Sequence, residues 1–128
     1  MPGTEEKITD AELEVLRVLW AAGEPCTVGQ VKSALADQSW NGETVKTLLR
    51  RLCQKGAVAQ EKRGVYYYRP LVDQKTLGRY RTQRVIDKLY AGSARSMVAA
   101  LVEHHQLGSQ DVEDLHNMFQ ELWNRKEE

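Results

Sequence analysis

Basic and hydroxyl side chains recur along one short stretch, residues 41–55, which has the sequence NGETVKTLLRRLCQK. Arg and Lys can donate hydrogen bonds to guanine acceptors in the major groove of DNA, and Thr offers a hydroxyl and a methyl group to base edges. The apolar positions at helical spacing are Val45, Leu48, Leu49 and Leu52. Asn41 can cap the start of such a helix and Gly56 can end it. The pattern therefore predicts a buried helix whose exposed face is basic.

The charge distribution supports a local binding surface, although the whole chain has 18 Lys/Arg and 18 Asp/Glu and is formally neutral. Residues 41–69 hold seven Lys/Arg against two Asp/Glu, whereas residues 1–40 hold three against seven. Residues 70–128 are nearly balanced, with eight against nine. A basic helix face by itself is more often only solvated. The concentration of cations here is what an anion-binding surface requires.

Two helices are predicted before the basic helix, and a β-hairpin after it. The pairs with capping-box spacing are Thr9 with Glu12 and Thr27 with Gln30, and the second helix is expected to end near Ser39. Residues 57–61 and 65–69 are rich in β-branched and aromatic side chains, which favours two short strands. Residues 62–64 then form a tight basic turn. Three helices followed by a hairpin are the order of a winged helix-turn-helix domain.

The candidate DNA-contacting residues form two sets. Those expected to face base edges from the third helix are Thr44, Lys46, Thr47, Arg50 and Arg51. Those expected to contact phosphates are Lys55, Lys62, Arg63 and Tyr68. The predicted partner is duplex DNA.

Helical spacing of apolar residues returns after Asp73 and predicts three further helices, the last of them capped by Ser109. The predicted fold class is mainly α with a small β-hairpin wing. Residues 1–72 form a winged-helix DNA-binding domain in this prediction, and residues 73–128 form a helical dimerisation domain. The alternative is that the C-terminal helices fold back on the first domain. The candidate interface residues are Leu77, Leu89, Met97, Val98, Leu101, Val102, Leu115, Phe119 and Leu122.

Enzymes, metal sites and membrane spans are not predicted. The sequence has no nucleophile elbow, HExxH, P-loop or dinucleotide-binding glycine pattern, so no catalytic activity or cofactor is expected. Cys26 and Cys53 are expected to be free buried thiols. The three histidines, His104, His105 and His116, are expected to be solvated. The acidic N-terminus resembles no signal peptide, which predicts a cytoplasmic protein.

Several segments together resemble the BlaI/MecI/CopY family of bacterial repressors. They are ITDAELEVLRVLW, TVGQVKSAL, WNGETVKTLLRRL with the following KG, the YYY of the hairpin, and YAGSARSMVAALVEHHQLGSQDVEDL. The resemblance extends from Ile8 to about Leu122. It implies a homodimeric repressor that binds inverted-repeat operators with TACA/TGTA-type half-sites, upstream of resistance or metal-homeostasis genes. It also places Thr44, Lys46, Thr47 and Arg51 on the DNA-reading helix.

The sequence departs from both known modes of induction in that family. The pair aligned with the Asn-Phe bond that is cleaved in the antibiotic-responsive branch is Ala100-Leu101. The cysteine cluster of the copper-responsive branch is missing beyond Cys53. An upstream sensor protein and a small-molecule ligand therefore both stay open as signals.

Two alternative functions remain at this point. One is a winged-helix module that binds only proteins, which a neutral or acidic third helix would favour. The other is a ligand-responsive regulator like the MarR proteins, with Tyr66, Tyr67 and Tyr80 as candidate pocket residues.

Overall fold

The computed structural model describes residues 8–104 and 106–127, and within these it contains six α-helices, one 3-10 turn and one two-stranded antiparallel sheet. The helices before the sheet are α1 (Asp10–Ala22), α2 (Val28–Ala34) and α3 (Gly42–Gln54). The strands are β1 (Val58–Arg63) and β2 (Val65–Pro70). The later helices are α4 (Gln74–Leu89), α5 (Ala94–Glu103) and α6 (Ser109–Glu127). The predicted fold class, mainly α with a hairpin, is confirmed.

Both predicted capping boxes are present. The Thr9 hydroxyl accepts from the backbone N–H of Glu12 at 3.2 Å, and the Glu12 carboxylate accepts from the N–H of Thr9 at 2.9 Å. Thr27 and Gln30 make the same reciprocal pair at 3.2 and 2.8 Å. These contacts satisfy backbone donors that a helix start would otherwise leave without partners.

Helix α2 is shorter than the sequence pattern predicts. It ends at Ala34, and a separate 3-10 turn follows at Ala36–Gln38, instead of one helix reaching Ser39. The N–H of the buried Leu35 is shared between the carbonyls of Val31 and Lys32. Such tightening to 3-10 geometry is common where an α-helix ends.

Helix α3 has the predicted cap and the predicted apolar stripe. The Asn41 side chain accepts from the N–H of Thr44 at 2.8 Å, and Gly56 follows the helix with a left-handed φ of 79°. The buried stripe consists of Val45, Leu48, Leu49 and Leu52. It packs against α1, α2 and β1, which fixes the direction in which the polar side of α3 points.

The hairpin is tighter than predicted. Lys62 and Arg63 belong to β1, where they pair with Tyr66 and Val65, so Gly64 alone connects the strands. Its φ of 80° lies in the left-handed region, which glycine adopts without steric cost. Both wing cations are therefore held in regular strand geometry.

Backbone hydrogen bonds attach the hairpin to the segment before α2. The N–H of Tyr68 donates to the Cys26 carbonyl at 2.7 Å, and the N–H of Cys26 donates back to the carbonyl of Tyr68 at 2.9 Å. The start of α2 and the wing are thus positioned together, on the side where α3 begins.

The chain divides into two compact units, one ending at Thr82 and the other beginning at Gln83, inside α4. The start of α4 belongs to the first unit, because Leu77 is buried in its core and Arg81 contacts the Ile8 carbonyl and Asp10. The division into a DNA-binding part, 1–72, and a dimerisation part, 73–128, stays a prediction about function.

The second unit contains the end of α4, α5 and α6. Ser93 caps α5 by accepting from the N–H of Ser96 at 3.1 Å. Ser109 is itself the first residue of α6, not its cap, and the Asp111 carboxylate accepts from the N–H of Gly108 at 3.1 Å. In the described part of the chain, every helix is too short or too polar to cross a bilayer.

Candidate nucleic-acid interface

The side of α3 opposite the buried stripe presents the predicted base-contacting residues to solvent. Thr44, Lys46, Arg50 and Arg51 are exposed, and Thr47 is half-buried. We call these five residues the basic face. At 100° per residue, Thr47 and Arg50 lie along its middle, Lys46 on one flank, and Thr44 with Arg51 on the other.

A depression borders the basic face on each flank. The first, here the hairpin cleft, has a volume of about 590 Å3 and is lined by Thr27, Val28, Gly29, Gly42, Glu43, Lys46, Val65, Tyr66 and Tyr68. The second, here the outer groove, measures about 370 Å3 and is lined by Asn41, Glu43, Thr44, Thr47, Leu48 and Arg51. Helix α3 therefore forms a ridge between two depressions.

The hairpin brings one of its two cations, Lys62, to the same cleft. The Lys62 ammonium lies 5.8 Å from the ring centroid of Tyr66, and Tyr66 lines the hairpin cleft together with Lys46. The Arg63 guanidinium lies 5.8 Å from the ring centroid of Tyr67. These distances are within the range of cation–π attraction, which restrains Lys62 beside the cleft and Arg63 against the opposite face of the hairpin.

Arg63 also has an acidic neighbour. Its Nε donates to the Glu61 carboxylate at 2.8 Å, and this hydrogen bond and charge hold the pKa of Glu61 below its usual value. Both side chains are more than half exposed, so water and salt screen the pair. A phosphate that replaced Glu61 beside Arg63 would meet a cation already in position.

Lys55 forms an ion pair that the sequence did not predict. Its ammonium is 2.5 Å from the carboxylate of Glu12 in α1, a side chain that is only 1% exposed. Burial would raise the pKa of Glu12, but the hydrogen bond from Lys55 and the N–H of Thr9 hold it below its ordinary value. The pair ties the end of α3 to the start of α1, and a phosphate contact by Lys55 stays a prediction. The capping box gave Glu12 a local role, but nothing in the sequence indicated its partner 43 residues away.

Tyr68 is a core residue. It is 5% exposed, and burial, together with nearby Cys53 and Tyr66, raises the pKa of its hydroxyl. Because so little of the side chain reaches the surface, the burial of Tyr68 contradicts its predicted phosphate contact. Tyr66, two positions earlier in β2, is 45% exposed.

The apolar candidates for dimerisation differ in how much of each side chain is exposed. Leu77 is 2% exposed within the core of its own unit, so it cannot face a second copy. Leu89, Leu101, Val102, Phe119 and Leu122 are exposed, whereas Met97, Val98 and Leu115 are half-buried. Three exposed residues of α6 were not among the predicted interface residues: Val112, Met118 and Trp123. Their helical spacing places them on the same stripe as Phe119.

The remaining chemistry of the described residues is sparse. Cys26 and Cys53 are free thiols, as predicted, but only Cys26 is buried, whereas Cys53 is half-buried. Burial raises the pKa of each thiol. Within 8–104 and 106–127, no cluster of His, Cys, Asp and Glu side chains could hold a metal ion. The prediction for His105 lies outside the described residues.

Comparison with known proteins gives consistent similarities. A protein-family model described as penicillinase repressor matches residues 8–121. The penicillinase repressor of Bacillus licheniformis is 32% identical over 123 residues, which cover 95% of this chain and 96% of that protein. The methicillin resistance regulatory protein MecI of Staphylococcus aureus (strain N315) is 26% identical over 114 residues, 88% of this chain and 93% of that protein. A solution structure of the B. licheniformis BlaI monomeric form in complex with the blaP half-operator is 37% identical, with a TM-score of 0.47 over 54% of this chain and 85% of that chain.

Proposed function

Because this chain belongs to the penicillinase repressor family, we propose that it is a homodimeric transcriptional repressor that binds inverted-repeat operator DNA. In this proposal α3 lies in the major groove and the hairpin contacts the flanking phosphates. The operator has TACA/TGTA-type half-sites, and the controlled genes serve resistance or metal homeostasis. The protein acts in the cytoplasm and catalyses no reaction.

The observation that carries the proposal is the shared surface of α3 and the hairpin. Lys46 and Tyr66 line one cleft, Lys62 lies against Tyr66, and Arg50 and Arg51 are exposed on the adjoining ridge. Cations that border a protruding helix can neutralise phosphates on both sides of a groove while the helix meets the base edges. A surface for neutral protein partners would not need this concentration of positive charge.

The second unit supports the dimeric part of the proposal. The exposed residues of α6 include Val112, Phe119, Leu122 and Trp123, which share one stripe. An exposed apolar stripe of this length is unfavourable in water, and a second copy of the chain can cover it isologously. A dimer would also present two α3 helices to half-sites one DNA turn apart, about 34–36 Å.

A mobility-shift titration tests the proposal. The full-length protein is titrated onto its own upstream DNA, with scrambled competitor, at two salt concentrations. We expect a specific complex that resists competitor and contains two chains per site. Weak binding to every sequence that disappears at the higher salt would contradict a repressor function, and would favour a winged-helix module with a protein partner.

A further inference from the structure

Glu43 is the acidic side chain on the outward side of α3, which is otherwise neutral or basic, and it lies in the first turn of the helix. It precedes Thr47 by four residues and Arg50 by seven, so the three lie along one line of the helix, opposite the buried stripe. Glu43 is exposed, and it forms no ion pair with any residue in the described part of the chain. The Glu43 carboxylate can therefore interact with a molecule that binds to the outward side of α3.

Glu43 lies at the crest of α3, between the two depressions that flank the helix. It lines the hairpin cleft together with Lys46, and it also lines the outer groove together with Thr44 and Arg51. In helix-turn-helix proteins the N-terminal residues of the recognition helix contact base edges. Glu43 lies in the first turn of α3, so the groove floor, not the phosphate backbone, is its partner in such a complex.

A carboxylate at the groove floor restricts which base can lie opposite. It only accepts hydrogen bonds, so the acceptor atoms of guanine and thymine repel it. Adenine offers one amino donor beside the N7 acceptor, whereas cytosine offers its N4 amino group without a neighbouring acceptor on the same base. A carboxylate that is buried at the interface without a hydrogen-bond donor loses its hydration at a cost in free energy. A base that offers no donor opposite Glu43 would therefore weaken DNA binding.

We propose that Glu43 is a specificity-determining residue that selects cytosine by accepting a hydrogen bond from its N4 amino group. This inference rests on the proposed function, because it requires α3 to lie in the major groove. The competing explanation is structural: an acid in the first turn of a helix interacts favourably with the helix dipole. That role would change stability and would leave base preference unaltered.

The experiment selects bound duplexes from a library with a random central segment, using the full-length protein. The variants are Glu43→Ala and Glu43→Gln, and the matched control is Glu113→Gln, which removes the same charge from an exposed position in the second turn of α6. We expect the wild type and the control to enrich one motif with cytosine at one position of each half-site. Glu43→Ala should lose the roughly tenfold preference at that position and keep the others. Glu43→Gln should shift the preference to adenine, which glutamine binds through N6 and N7.

The outcomes separate the inference from the proposed function. If the wild type enriches no motif, the proposed function fails and the inference fails with it. If the wild type enriches a motif that both Glu43 variants also enrich unchanged, the repressor function stands and the role of Glu43 is overturned. Melting temperatures of all four proteins identify a purely structural effect. If Glu43→Ala does not fold, the glutamine variant, which has nearly the same shape, decides between these outcomes.

Discussion

At the scale of single residues, Arg51 is the sharpest test of base reading. It is exposed in the last turn of α3 and lines the outer groove with Thr44 and Thr47. If its guanidinium pairs with a base edge, Arg51→Ala should weaken operator binding by about 1–3 kcal/mol. Titration of the operator at fixed salt measures this loss. The control is Arg95→Ala, which removes an exposed arginine from α5, and equal affinities for the two variants would exclude Arg51 from the site.

The Glu12–Lys55 pair leads to a prediction about stability. Glu12→Gln removes a charged hydrogen bond between α1 and the end of α3, and should lower the free energy of unfolding by about 1.5–3 kcal/mol at neutral pH. Urea unfolding followed by tryptophan fluorescence measures the change. The control is Glu14→Gln on the same helix, whose exposed i,i+3 pair with Arg17 should contribute at most about 1 kcal/mol.

The same pair has a defined pH dependence. Because the folded-state pKa of Glu12 lies below the ordinary value of 4.5, its stabilising effect is complete above pH 4.5. That effect is lost as the pH falls through the lower folded-state value. The stability difference between wild type and Glu12→Gln should therefore narrow in acid. A difference that stays constant from neutral pH to well below 4.5 would show that the carboxylate charge does not stabilise the fold.

At the scale of secondary-structure elements, the two glycines Gly64 and Gly78 should respond in opposite ways to alanine. Gly64 turns the hairpin with φ 80°, where a Cβ atom costs about 1–2 kcal/mol, so Gly64→Ala should destabilise the wing. Gly78 lies inside α4 with open space where a methyl group would project, so Gly78→Ala should stabilise the helix by up to about 1 kcal/mol. Thermal unfolding of both variants compares these effects.

The hairpin variant should also affect binding. Because Lys62 and Arg63 lie immediately before Gly64 in β1, distortion of the turn displaces both cations. Gly64→Ala should therefore lower affinity for operator and scrambled DNA alike, since phosphate contacts carry no sequence information. Gly78→Ala should leave both affinities as they are. A loss restricted to the operator would mean that the wing contacts bases.

At the scale of the whole molecule, the stripe on α6 is expected to determine the oligomeric state. Phe119 is 56% exposed at the centre of that stripe, and Phe119→Glu would place a charge where a second copy must pack. Sedimentation should then show monomers, and operator binding should weaken because two half-sites are no longer engaged by one particle. The control is Asn117→Glu, on the opposite side of α6. A dimeric Phe119→Glu protein would show that another surface joins the copies.

The sequence by itself determined the elements that depend on neighbours along the chain. The caps at Thr9, Thr27 and Asn41 involve residues three positions apart, and the buried stripe of α3 follows from helical periodicity. Local hydrogen bonding and side-chain spacing are sufficient to specify such features. The order of helices and hairpin, and the outward direction of Thr44, Lys46, Arg50 and Arg51, could therefore be predicted without coordinates.

Only the tertiary structure decided which polar and apolar side chains remain available. Lys55 follows α3 directly in the same basic segment as Arg50 and Arg51, yet it pairs with Glu12 of α1. Tyr68 is buried, whereas Tyr66, two residues earlier in the same strand, is exposed. Leu77 has the spacing of an interface residue, but it completes the core of the first unit. Burial depends on contacts between residues that are distant in sequence. Periodicity identifies the apolar face of a helix, but it does not identify the element that packs against that face. For this reason the fold could be predicted closely, whereas the exposure of the individual candidate side chains could be predicted only in part.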